Sequence, residues 1–172
     1  ALLSHMARLG SSQPIELRST MDELVEGFDL SHFGASPTKF DEQDLFPLTG
    51  RYLQSLPLSD VAEDVAELGV PAELAERFWA VSRDNITTRA DLAKWWDLFR
   101  GGAEIALVDD EDRDFVADAF ALLPEPPYAE TTWADWTAAV KEATGRKGRG
   151  LFMPLRKAVT GQERGPEMAD VM

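Results

Sequence analysis

Gly145-Arg146-Lys147-Gly148-Arg149-Gly150-Leu151-Phe152-Met153-Pro154-Leu155-Arg156-Lys157-Ala158-Val159-Thr160-Gly161-Gln162-Glu163-Arg164-Gly165-Pro166 concentrates positive charge in an otherwise acidic chain. Glycines bracket residues 151–160, which read as a helix. Pro166 suits a first helical turn, so 166–172 reads as the last one. Between residues 141 and 172, seven of the 17 Lys and Arg stand against four of the 31 acids, a local charge of +3. Residues 1–140 carry −17, and the whole chain −14. A basic surface on an acidic body points to a specific polyanion site, because most of the remaining surface repels phosphate.

Helical punctuation recurs upstream of this stretch. Thr20 and Glu23 form a capping box. Asp41 precedes a helix carrying Leu45, Leu48 and Tyr52, with Pro47 placed to kink or interrupt it. Ser59 is positioned to cap residues 60–68, with Val61, Val65 and Leu68 on one stripe and Gly69 as the stop. Pro71 opens a helix with Leu74, Phe78 and Val81. Thr88 reads as the cap of a helix bearing Leu92, Trp95, Trp96 and Phe99, ended by Gly101-Gly102. Asp110 begins a helix with Phe115, Ala119, Leu122 and Leu123, stopped by Pro124. Thr132 reads as the cap of the helix bearing Trp133, Trp136 and Val140, ended by Gly145. Sustained period-2 alternation is absent, so the expected fold is all-α, with the five Trp as core anchors. Leu56-Pro57-Leu58 and the stretch from Gly101-Gly102 to Asp112 mark the expected boundaries.

At 172 residues the chain holds one domain or two small ones. It has no Cys, which excludes disulfides and thiolate metal sites and fits a reducing cytoplasm. His5 and His32 are isolated, Asp109-Asp110-Glu111-Asp112 lacks the pattern of a calcium loop, and no metal ligand set is expected. Asp109–Asp112 reads instead as a solvated helix start. The sequence has no long apolar run or signal-peptide pattern, so a cytoplasmic protein without a membrane partner is expected. No catalytic triad or carboxylate pair can be argued.

Gly-Arg-Lys-Gly-x-x-Leu-Phe-x-Pro-Leu-Arg-x-Ala-x-Thr-Gly-x-x-x-Gly-Pro resembles the C-terminal anticodon-binding region of bacterial glutamyl-tRNA synthetases. The resemblance implies an all-α helical bundle or cage of the class I glutamyl-tRNA synthetase anticodon-binding type. Three parts are then expected. Residues 1–57 are the C-terminal part of a stem-contact (connecting) domain, and 58–103 a first anticodon-binding helical subdomain. Residues 104–172 are a second subdomain, truncated at its C-terminus. In the family, a stretch like Ala1-Leu2-Leu3 follows soon after the catalytic domain. The chain has no initiator Met and neither ATP-binding signature (His-Ile-Gly-His, Lys-Met-Ser-Lys-Ser). It is therefore expected to be a non-catalytic fragment with no cofactor of its own. ATP and Mg²⁺ would belong to the parent's catalytic domain. The implied partner is tRNA(Glu), with no DNA partner and a monomeric state. The competing reading is an acidic helical adaptor that binds proteins.

Arginine offers a planar fork to phosphates and base edges, and an exposed aromatic ring offers a stacking face. Arg146, Lys147, Arg149, Phe152, Arg156, Lys157 and Arg164 are the candidates of these types. The glycines at 145, 148 and 150 leave backbone bare for close approach. The alternative is a solvated basic turn with Phe152 in the core. By position within the family motif, Met153, Arg156, Gly165, Pro166 and Met168 are implied to line a pocket for unstacked anticodon bases. The helix start at Pro166 would add free backbone donors. The loop carrying Arg83 and Asn85 matches a family loop near the third anticodon base. Either Arg83 reaches the base, or the Asn85 amide reads it, or the contact is lost. Lys39 and Arg51 are implied as weak stem-phosphate contacts, with Phe40 and Tyr52 packed in the core.

Overall fold

The structure is a computed structural model that describes residues 1–101 and 108–172. Among the described residues it is all-α as expected, with helices joined by 3-10 turns and a single isolated bridge between Ser11 and Phe33. Gly102 and the 103/104 division lie outside the described residues. The chain forms two compact units, Ala1–Leu92 and Ala93–Met172.

The first unit holds α1 (Leu2–Met6), α2 (Met21–Glu26), α3 (Leu45–Ser55), α4 (Ala62–Glu67) and α5 (Ala75–Ser82). The capping box forms at α2: the Thr20 side chain accepts from Glu23 N at 3.2 Å, and the Glu23 carboxylate accepts from Ser19 N at 2.9 Å. Pro47 neither kinks nor interrupts α3. It occupies the third residue of that helix, where a backbone N–H would have no intrahelical acceptor. Leu48, Leu53, Leu56, Val61, Val65, Phe78, Trp79 and Ile86 are buried. The Trp79 indole N–H donates to Leu56 O at 3.1 Å, tying α5 to the end of α3. Phe40 and Tyr52, expected in the core, are instead 39% and 41% exposed, and Phe40 meets the buried His5 ring edge-on at 5.3 Å.

The second unit holds α7 (Arg113–Phe120), α8 (Thr132–Thr144), α9 (Arg149–Thr160) and α10 (Met168–Val171); α6 (Asp91–Phe99) begins in the first unit and continues into it. Its core is Phe115, Ala119, Trp136, Val140, Leu151 and Leu155, with Trp133, Leu123 and Val159 packed against it. The stripes at i, i+4 on α7, α8 and α9 supply these residues in pairs, the arrangement a helix needs to bury one face. Only Trp79 and Trp136 are fully buried Trp; Trp95, Trp96 and Trp133 are partly exposed.

Several helix starts fall later than the sequence suggests because 3-10 turns precede them. Ser59 lies inside such a turn, Leu58–Asp60, where its hydroxyl donates to Asp60 Oδ1. The helix then starts at Ala62. Asp110 starts a 3-10 turn rather than α7, and α7 stops at Phe120, which leaves Leu122 42% exposed. Thr88 and Asp91 are joined at the start of α6. The Thr88 N–H and hydroxyl both donate to Asp91 Oδ2, so the first carboxylate of α6 reaches backward. Thr132 is the first residue of α8, and its hydroxyl accepts from Ala129 N at 2.8 Å, bracing the turn before it. The last helix starts at Met168, not Pro166, and has four residues.

Candidate nucleic-acid interface

Helix α9 sorts the basic segment by its 3.6-residue period. Leu151 and Leu155 point into the core, at 1% and 0% exposure. Arg149, Met153 and Lys157, spaced by four, line a cleft of about 360 Å³ with Asp109, Asp112 and Glu163. Phe152 and Arg156, also spaced by four, form a third stripe. Gly148 caps the helix with φ +54° and ψ −138°, a conformation that a side-chain-bearing residue rarely adopts.

Arg146 belongs to the fold. Its guanidinium lies 3.9 Å from the centroid of the Phe115 ring and pairs with Asp112. Its Nη1 also donates to Gly150 O at 3.2 Å. That carbonyl needs a donor because the residue four positions on is Pro154, which has no N–H. Arg146→Ala should therefore cost about 2 kcal/mol of stability. In a Pro154→Ala background, where the restored N–H can serve Gly150 O, the cost should fall by about 1 kcal/mol. Urea denaturation of the four proteins tests this, and strictly additive losses would refute the shared carbonyl.

Lys157 is likewise committed. Its Nζ lies 3.0 Å from Glu163 Oε1 and 3.3 Å from Asp109 Oδ2, with the side chain 14% exposed. The Glu163 carboxylate, then that of Asp109, raises its pKa above the ordinary lysine value. Asp109 and Asp112, expected as part of a solvated helix start, thus clamp two of the basic residues. The cleft brings three carboxylates against two cations, which disfavours a phosphate there.

Arg156 takes a different environment. Its Nη2 donates to Pro166 O at 2.9 Å, and its Nη1 is buried without a hydrogen-bond partner among the described residues. Gly165 explains the close packing beside it. At φ +152°, a Cβ there would sit 2.6 Å from Trp95 Cη2. Phe152 is 45% exposed, with its ring tilted 39° and 6.4 Å from that of Trp133. It is therefore not the core residue of the alternative reading. Lys147, Arg149 and Arg164 are exposed and form no ion pair with any described residue.

Other sequence candidates are placed less favourably. Met168 is 3% exposed and Pro166 is buried, so both pack inside the unit and neither presents a face to a base. A helix of four residues also offers too little dipole for an anion site at Pro166. The Asn85 amide donates to Val81 O at 3.3 Å, near the end of α5, while Arg83 stays exposed beside Asp84 at 3.8 Å. Lys39 and Arg51 are exposed. Trp133 and Trp95, which brace Phe152 and Gly165, were read from sequence only as core. The signal that could have singled them out is their presence on helix faces with more aromatic residues than one core stripe needs.

Residues 60–172 match the family model described as "Anticodon binding domain". Over all 172 residues the chain is 67% identical to glutamate–tRNA ligase 2 of Jannaschia sp. (strain CCS1). It is 69% identical to glutamate–tRNA ligase 2 of Dinoroseobacter shibae and to glutamate–tRNA ligase 1 of Ruegeria pomeroyi. The chain spans 38–39% of the length of these curated relatives. The crystal structure of glutamate-tRNA synthetase from Elizabethkingia anophelis superposes with a TM-score of 0.68 at 20% identity, covering 99% of this chain and 36% of that one. That likeness shows the fold. No helix among the described residues is long and apolar enough to cross a membrane.

Proposed function

We infer the function of this chain from its family: it belongs to the anticodon-binding-domain family, and we read it as the tRNA-anticodon-binding part of a bacterial glutamate–tRNA ligase. One observation carries this reading: identity of 67–69% along the whole chain to proteins of that name. An acidic helical adaptor accounts for the −14 charge but not for the family match.

In this reading residues 1–57 contribute stem contacts through Lys39 and Arg51. Residues 58–103 and 104–172 are the two anticodon-binding subdomains. Unstacked bases dock on the Phe152–Arg156 stripe, where an exposed ring stands beside a half-buried guanidinium that pairs with no described carboxylate and is held by Pro166 O. Lys147, exposed just before α9, attracts the adjoining phosphate, whereas Arg149 faces the acidic cleft. Arg83 is the remaining cation for a further anticodon base. The parent is a cytoplasmic, monomeric class I ligase that joins L-glutamate to tRNA(Glu), with ATP and Mg²⁺ acting in the catalytic domain. The chain itself does no bond chemistry. Docking of a correct anticodon holds the acceptor end in register with the distant active site, so a wrong anticodon lowers reactivity through misplacement.

A competition titration tests this. Transcripts differing from tRNA(Glu) only in the anticodon should bind at least about tenfold more weakly, the cost of a lost base-edge contact. Equal affinities would contradict sequence reading by this chain.

A further inference from the structure

Helix α1 is turned inside out. Ser4 and His5 are 1% and 0% exposed, whereas Leu2, Leu3 and Met6 are 52%, 59% and 51% exposed. The Ser4 hydroxyl donates inward to Arg18 O and accepts from Arg18 N at 3.0 Å, so the inversion is held in place. A helix that faces water normally does the reverse. Helix α2 repeats the anomaly: it has no buried residue, yet Met21, Leu24, Val25 and Phe28 recur at i, i+3, i+4 and i+7. A six-residue helix is far too short to persist by its own hydrogen bonds and depends on packing of its apolar face. Within this unit that face is open. Leu3, Met6, Ala7, Met21, Leu24, Val25 and Phe28 line a cleft of about 310 Å³ with no charged residue among them. A contiguous apolar surface of this kind marks an interface.

We propose that the outer faces of α1 and α2 are the seat of an apolar surface belonging to the portion of the polypeptide that the relatives carry beyond this chain. This rests on the reading that the chain is part of a longer ligase. The relatives are more than twice its length, and the chain matches their C-terminal part, so most of their additional chain lies on the side of the end that carries α1. The lack of charge in the cleft calls for an apolar partner rather than a nucleic acid, whose phosphates the neighbouring Asp22, Glu23 and Glu26 would repel.

Hydrogen exchange on the longer protein and on residues 1–172 alone tests the assignment. Amides of residues 21–28 are expected to exchange at least about tenfold more slowly in the longer protein, because the cover opens only with larger unfolding. Val25→Glu should lower the melting temperature of the longer protein while leaving that of residues 1–172 unchanged, since Val25 is 69% exposed there. Equal exchange in the two proteins would overturn the proposal, as would equal destabilisation of both by Val25→Glu. Concentration-dependent dimers of residues 1–172 that Val25→Glu abolishes would also overturn it, by giving the face to a second copy. None of these readouts involves tRNA, so a failure to discriminate anticodons would sink the functional reading without touching this result.

Discussion

Removing Phe152 and Arg156 together, by Phe152→Ala and Arg156→Ala, is expected to weaken tRNA(Glu) binding by about 3 kcal/mol, on the order of a hundredfold. Stacking on an aromatic ring and an arginine at a base edge are each worth roughly 1–3 kcal/mol. The two side chains share one stripe of α9, so their losses should fall short of additive. Phe152 is 45% exposed and bears little of the core, so the fold should survive its truncation. Arg156 gives up one bond to Pro166 O, a modest loss for a half-buried donor. Filter binding together with a denaturation curve separates the two effects. A double variant that keeps both its stability and its wild-type Kd would remove this stripe from the interface.

The largest expected effect on stability is at Trp136. Its side chain is 1% exposed, its indole N–H donates to Ala119 O at 2.7 Å, and its ring meets Phe120 and Trp133 edge-on at 5.3 and 5.6 Å. Trp136→Ala should cost about 3–5 kcal/mol, the combined loss of transfer energy and the cavity left behind. Trp136→Phe keeps a ring and loses the hydrogen bond and some volume, so a smaller loss of about 1–2 kcal/mol is expected. Trp133, on the same helix, stands between Trp136 and Phe152. Collapse around position 136 should therefore also loosen the proposed stacking face. Chemical denaturation followed by far-UV circular dichroism measures both variants. A loss below about 1 kcal/mol for Trp136→Ala would contradict its place at the centre of the second unit.

The sequence carried the helical character and most of the core, because both are written in a 3.6-residue period. Leu92, Phe115, Trp136 and Leu155 are buried as their spacing requires. Helix starts were less legible. A Ser or Thr before an apolar run looks alike whether it caps an α-helix or sits in a 3-10 turn, as Ser59 does, or accepts from an earlier N–H, as Thr132 does. The basic segment was legible as a group but not residue by residue. Arg146 and Lys157 look like their neighbours in sequence, but Asp112 and Asp109, which pair with them, lie 34 and 48 residues away, and Glu163, the nearer partner of Lys157, meets it only across the turn after α9. Only the fold reveals that these two cations are taken. Pro154 was the one local clue to the role of Arg146, since it leaves the Gly150 carbonyl without its helical donor. The exposure of Phe40 and Tyr52 was hidden for a related reason: aromatic residues near a helix are buried only where another element covers them.

Anticodon discrimination by Arg156→Ala decides whether this guanidinium reads a base. Wild-type chain should prefer the tRNA(Glu) anticodon over an altered one, and the variant should bind both with nearly the same, weaker affinity. A variant that binds more weakly but discriminates as well as wild type would leave Arg156 outside base reading. One with unchanged affinity and unchanged discrimination would contradict the account.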